Sequence, residues 1–207
     1  MTINTDLIYT IASEEVLDEA YAWLCDRRKA YSAEDDVWDL RQHWAERKRQ
    51  LQRALAADDY AFGPLREVRL PDETLQVWRA QDALVLKAMA IVLGEALDPL
   101  LSARCFHLKG HGGAKAAVRE TLERLTPDCH VMKSDVKGYY ANIDHDILSE
   151  LLAQYVGDAG VLRLVGLYIR RTITYGGNYW DVAMVITEGC SAGQPGAAWP
   201  HGRATPG

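Results

Sequence analysis

The 207 residues include 48% apolar and 25% charged side chains, enough to bury a core and too apolar for a disordered chain. The formal net charge of −6 argues against a free-standing nucleic-acid binder, because phosphate affinity comes mainly from Lys and Arg. No run approaches the roughly 18 apolar residues that cross a bilayer, and the start MTINTDLIYTIASEE lacks the basic and long apolar regions of a signal peptide. A cytoplasmic chain with no membrane contact is expected. The charge is uneven: residues 1–100 hold 12 basic and 19 acidic side chains, residues 101–207 hold 11 and 10. Four cysteines, Cys25, Cys105, Cys129 and Cys190, lie far apart without C-x-x-C spacing, so buried reduced thiols are expected rather than a zinc site or a disulfide framework.

In chain order, Ser13 before Glu14 and Glu15 predicts a helix start, with acids against the positive end of the dipole, running to about Ala30. Ser32 offers a second cap, followed by Val37, Leu40, Trp44, Leu51 and Leu55 on one face, with a gap at Lys48. Arg47–Lys48–Arg49 reads as the solvated face of that helix. From Asp58 to Trp78, Tyr60, Phe62, Leu65, Val68 and Leu70, interrupted by Gly63, Pro64 and Pro71, predict short strands and turns. An apolar helix follows over about Ala80–Leu97, ending near Asp98–Pro99. The glycine-rich segment CFHLKGHGGAK leads into a helix over about Ala114–Leu125. A short apolar strand, Val131 to Val136, then carries Asp135 near its C-terminal end. Beyond the turn come helices over about Asp146–Tyr155, starting near His145, and Val161–Thr172. A Gly176–Gly177 turn precedes an expected strand near Val182 to Ile186.

The segment K-S-D-V-K-G-Y-Y-A-N-I-D-H-D-I-L, Lys133 to Leu148, carries the chemistry. A carboxylate at a strand end, followed by a flexible turn, presents a hard oxygen to a metal ion. Asp135 with the Val136 carbonyl is a donor pair that suits Mg²⁺. Two such ions about 3.5–4 Å apart activate a hydroxyl and stabilise a departing pyrophosphate. Tyr140, five residues on, would lie beneath an incoming sugar and exclude a 2′-hydroxyl by bulk. His107, His111 and His130 lack the spacing of a metal site.

This segment resembles the palm motif of bacterial reverse transcriptases of the group II intron and retron type, whose pattern is an Asp, a paired aromatic and an Ile-Asp-His. RLPDETLQVWRAQDALVLKAMAIVL resembles their fingers segment, HLKGHGGAKAAV the glycine-rich segment before the palm, and LLAQYVGDAGVLRLVGLYIRRTI the helices between the first two palm motifs. The likeness spans roughly Ala61 to Thr187. It implies an α+β, mainly helical fingers and partial palm over residues 58–188, behind an N-terminal helical extension over residues 1–57. It implies RNA-directed DNA polymerase activity with Mg²⁺, an RNA template, a DNA primer and a deoxynucleoside triphosphate. Asp135 matches the catalytic and metal-binding aspartate, with the adjacent Val136 carbonyl as the second oxygen donor. Tyr140 matches the sugar gate and Arg79 the fingers arginine that holds a triphosphate. Asp144 and His145 match the Ile-Asp-His element, with Asp144 expected to cap the helix that follows. Lys109 and Lys115 are either template-backbone contacts or plain solvated lysines.

Near Gly189 the family pattern calls for a Gly-rich loop and a Ser-Pro-Leu-type helix. The chain instead reads EGCSAGQPGAAWPHGRATPG and contains no Tyr-x-Asp-Asp. Residues 189–207 are therefore expected to be an irregular tail, out of frame from about Cys190. A truncated polymerase domain of this kind should be inactive alone unless another chain completes it. The alternative is a non-catalytic module that binds nucleic acid or a partner through the surface from Arg104 to Lys137, which has seven basic and four acidic residues. A third reading is a non-functional product with an exposed sheet edge.

Overall fold

A computed structural model describes residues 6–69, 71, 74–108, 110–136 and 142–181. The chain divides into two compact units, Met1–Leu93 with Gly138–Gly207, and Gly94–Lys137. The architecture is α+β.

In the first unit, helices α1 (Leu7–Ile11), α2 (Glu14–Arg27), α3 (Asp36–Gln42) and α4 (Trp44–Ala56) come first. Ser13 caps α2 as its sequence predicts, accepting from the Val16 N–H at 3.3 Å. Leu17, Ala20 and Leu24 are the buried face. The second cap is Asp35, not Ser32: its carboxylate accepts from the Val37 N–H at 3.1 Å. The Ser32 carbonyl instead closes a turn by accepting from the Asp35 N–H. The expected long helix breaks at His43, where the backbone leaves helical geometry (φ −109°, ψ 21°). Lys48 fills its gap in the apolar stripe with charge, bonding Glu14 at 2.6 Å and Asp18 at 3.0 Å. Asp18 also accepts from the Trp44 indole at 2.9 Å. Asp158 joins distant parts of the same core, capping a later helix through the Val161 N–H and accepting from the Ile8 N–H at 2.8 Å.

Strands β1 (Leu65–Arg69) and β2 (Thr74–Val77) form an antiparallel hairpin with Arg66 opposite Val77. Helix α5 (Ala80–Leu97) follows with the bounds its composition predicts. Its buried face includes Ala83, Leu84, Val85, Ala88, Met89 and Val92. Later in the chain stand α7 (His145–Tyr155), α8 (Ala159–Ile169), β3 (Thr172–Tyr175) and β4 (Asn178–Asp181). The helix expected to reach Thr172 ends at Ile169, and the β-branched run Thr172–Ile173–Thr174 is strand, the state that suits such side chains. Gly176 (φ 57°) and Gly177 (φ 82°) make the two-residue left-handed turn that hairpins require. It leads at once into β4; the expected strand Val182–Ile186 and the tail from Cys190 lie outside the described residues.

The sheet order is β2-β1-β3-β4, with β1 and β3 parallel and the other neighbours antiparallel. It is mixed because four α-helices intervene between β1 and β3 and deliver β3 parallel to β1 by a crossover. Leu65 pairs with Ile173, both buried. Trp78, 1% exposed, packs under the hairpin against Phe62 and Tyr168 at ring separations of 5.4 and 6.1 Å.

The second unit contains the end of α5, a 3₁₀ turn (Asp98–Leu100) and α6 (Gly113–Arg124). Helix α6 has no buried residue. The expected strand Val131–Val136 does not form: all six residues are exposed and lie outside helix and strand. A strand persists only where a neighbour takes its N–H and C=O groups, and no described strand pairs with this segment. The thiols are not uniformly buried either, since Cys25 and Cys105 are half-buried and Cys129 is exposed. No helix among the described residues is long and apolar enough to cross a membrane.

Candidate functional site

A cleft of about 270 Å³ opens in the first unit beside the β1–β2 hairpin, and Arg79 lines it together with Arg28, Arg66, Asp36 and Trp78. Arg66 and Arg79 are both exposed, and neither side chain makes a hydrogen bond or ion pair within the described residues, although the Arg79 charge acts on the Asp82 carboxyl and the Arg66 charge on the Tyr31 phenol. Two exposed guanidiniums on one concave surface present planar donor forks of the kind that suits phosphate oxygens, with the carboxylates of Glu34, Asp35 and Asp36 on the same lining.

The backbone around Arg79 is held tightly. The Trp78 carbonyl accepts from Arg28 Nη2 at 2.8 Å, and the Ala80 N–H donates to Asp36 Oδ2 at 2.8 Å. Arg28 and Asp36 are themselves paired at 3.3 Å, with Asp35 at 3.5 Å from the same guanidinium nitrogen. Arg28 is 1% exposed, so these carboxylates compensate its charge. Burial pushes the Asp36 carboxyl above its ordinary value, against the lowering effect of the Ala80 N–H and Arg28.

One turn further along α5, the buried Asp82 accepts from the Tyr60 hydroxyl at 2.6 Å and from the Gly63 N–H at 3.1 Å. Burial raises the Asp82 carboxyl, opposed by those two donors. The Tyr60 phenol is held in its neutral form by burial and by the Asp82 charge. A side chain at Gly63 would begin 3.3 Å from Asp82 Oδ2 and 3.5 Å from the Arg79 side chain, so glycine lets the loop approach the cleft. Sequence reasoning missed Arg28, Arg66, Asp36 and Asp82. The one local signal was Asp82 itself, a carboxylate within the apolar run AQDALVL, which requires a buried partner.

Asp135 and Val136 belong to the second unit, exposed and outside any helix or strand. Asp135 makes no hydrogen bond or ion pair within the described residues. Tyr140, Lys109 and Lys137 lie outside the described residues. Among those described, no three His, Cys, Asp or Glu side chains are grouped so that they could hold a metal ion. One carboxylate and one carbonyl fall short of the donor set a divalent ion needs, so the described residues do not fit a two-ion centre. Asp144 does what its position predicts, capping α7 through the N–H groups of Asp146 and Ile147 at 2.9 and 3.0 Å.

No protein-family model matches the chain. Over 126 residues it is 23% identical to the COX1/OXI3 intron 1 protein of Saccharomyces cerevisiae. That alignment covers 58% of this chain and 15% of the yeast protein's length.

Proposed function

We propose that this chain is a reverse-transcriptase-type module, comprising the fingers and the first half of a palm, which engages the phosphates of a nucleotide or a nucleic-acid strand through the Arg66–Arg79 cleft. The observation that carries the reading is the pair of exposed guanidiniums on one cleft beside a β-hairpin, neither spent on a side-chain hydrogen bond or ion pair within the described residues. Arg79 is also the residue that the sequence likeness assigns to triphosphate binding. The match to an intron protein supports the same direction. Arg66 and Arg79 would orient the phosphates and neutralise their charge, while Asp135, which belongs to the second unit, enters the reading through the sequence likeness alone. No transfer step is assigned to the chain by itself, because the described donors do not build a metal centre and the sequence holds no Tyr-x-Asp-Asp.

Calorimetric titration with a deoxynucleoside triphosphate tests the binding half. Arg79→Ala should weaken binding about tenfold, the loss expected for one charge-assisted contact; unchanged binding would remove the cleft from the reading. Primer extension on an RNA template, with Mg²⁺ and then Mn²⁺, tests the other half. The parent and Asp135→Ala should both be inactive, and extension by the parent that disappears in the variant would mean that further ligands complete the centre.

A second reading places nucleic-acid or partner binding on the second unit. Its support is that Lys115, Arg119 and Lys133 have no internal partner among the described residues. Against it, Arg104 and Arg124 are both drawn to Glu120 at 2.9 Å, which leaves a sparse cationic surface.

A further inference from the structure

Arg79 projects from a backbone whose two flanking peptide groups are gripped by side chains from far upstream. Arg28 takes the Trp78 carbonyl and Asp36 takes the Ala80 N–H, both at 2.8 Å. The partners are 50 and 44 residues away in sequence. The two gripping groups bond each other at 3.3 Å, so they act as one clamp, and Arg28 is 1% exposed and therefore fixed by its surroundings. Asp36 also satisfies the free N–H of the first residue of α5, whereas the Trp78 carbonyl that Arg28 holds lies before the helix.

We infer that the Arg28–Asp36 pair of the N-terminal helices is a positioning device, which fixes the backbone on both sides of Arg79 and thereby aims its guanidinium into the cleft. The inference rests on the proposed phosphate-binding role of Arg79. It gives the N-terminal helical segment a part in ligand binding although its paired side chains spend their hydrogen bonds on the protein. Preorganisation of this kind raises affinity by reducing the freedom that must be lost when the anion binds.

Positioning and simple charge predict opposite results. Asp36 is a negative group on the wall of an anion site, so its removal should strengthen anion binding if charge alone matters. If Asp36 holds Arg79 in place, its removal should weaken binding. Arg28→Lys keeps the charge and loses the planar fork that reaches Trp78 and Asp36 together; charge alone predicts no change, positioning predicts a loss.

The experiment is calorimetric titration of the full chain with inorganic tripolyphosphate, run on the parent, Asp36→Ala, Arg28→Lys and Arg79→Ala, and on the double variants that combine each of the first two with Arg79→Ala. Circular dichroism melts fix a temperature at which the variants are folded. Asp36→Ala and Arg28→Lys should each weaken binding several-fold, about three- to tenfold, and neither should weaken it further once Arg79 is alanine. Asp36→Ala binding more tightly than the parent, Arg28→Lys binding equally well, or full additivity with Arg79→Ala would each overturn the inference. If only one of the two variants folds, its result decides the matter on the same terms. A parent that binds as weakly as Arg79→Ala instead removes the phosphate-binding reading itself, and the two failures are thereby distinguished.

Discussion

Asp144 and Lys48 show how one side chain settles a local question that composition leaves open. In a segment resembling a polymerase motif, Asp144 invites a catalytic role, yet both of its bonds go to the free N–H groups of α7. Asp144→Ala should therefore destabilise the fold by about 1 kcal/mol, the usual value of such a cap, and leave tripolyphosphate affinity at the parental level. A melt and a titration on the same sample separate the two effects, and a loss of affinity with unchanged stability would return Asp144 to the site. Lys48 interrupts an apolar stripe, and its amine lies between Glu14 and Asp18 while Asp18 also receives the Trp44 indole. Asp18→Ala removes the acceptor shared by both donors and should cost about 1 kcal/mol, since a half-exposed pair is worth little and the indole hydrogen bond adds a modest amount. Denaturant melts with a shift much below that would show that the lysine is merely solvated.

At the level of elements, what could be read from the chain is what neighbouring residues decide. The start of α2 at Ser13, the span of α5, the cap of α7 and the Gly176–Gly177 turn all depend on residues within a few positions of one another, and all follow from the sequence. The sequence carries α8 on to Thr172, passes over β3 and predicts a strand at Val131–Val136, because strand formation depends on a partner elsewhere in the chain. The site divides in the same way: Arg79 emerged through a family likeness, whereas Arg28 and Asp36 act across 50 and 44 residues and carry no local mark. The α5 contact to the loop before β1 also has a pH signature. Burial raises Asp82, so the folded state holds that proton more tightly than the unfolded chain does. The stability linked to it is fully present below the unfolded pKa of about 4 and is lost as pH rises through the folded pKa. Asp36 leans the same way. In melts taken from about pH 4 to pH 7, Asp82→Asn should gain on the parent as pH rises; curves that stay parallel would show that Asp82 ionises as freely folded as unfolded.

For the whole molecule, the acidic balance and the scattered cations set the character of any nucleic-acid contact. Arg66 and Arg79 in one unit, and Lys115, Arg119 and Lys133 in the other, are exposed and make no side-chain hydrogen bond or ion pair among the described residues, within a chain of net charge −6. Binding to a single-stranded oligonucleotide should be weak and non-specific, and raising salt from about 50 to 200 mM should reduce it steeply, because displaced counterions supply most of the driving force. Fluorescence anisotropy at those two salt concentrations measures it. Tight binding that persists at the higher salt would require a dedicated surface beyond these cations.

The parallel pairing of Leu65 with Ile173 has a consequence for how the molecule is made. During synthesis the hairpin that borders the cleft emerges from the ribosome long before β3 exists, and at roughly 5–20 residues per second it waits several seconds for its neighbour. Throughout that interval the β1 edge presents unpaired backbone groups, and closing so long a loop carries an entropic cost before any pairing offsets it. The N-terminal helices meet the same delay, because the Ile8 N–H finds its acceptor only when Asp158 has been made. Nascent chains halted before β3 should therefore be protease-sensitive across Leu65–Val77, and protection should arrive in one step once residues up to Tyr175 have left the exit tunnel.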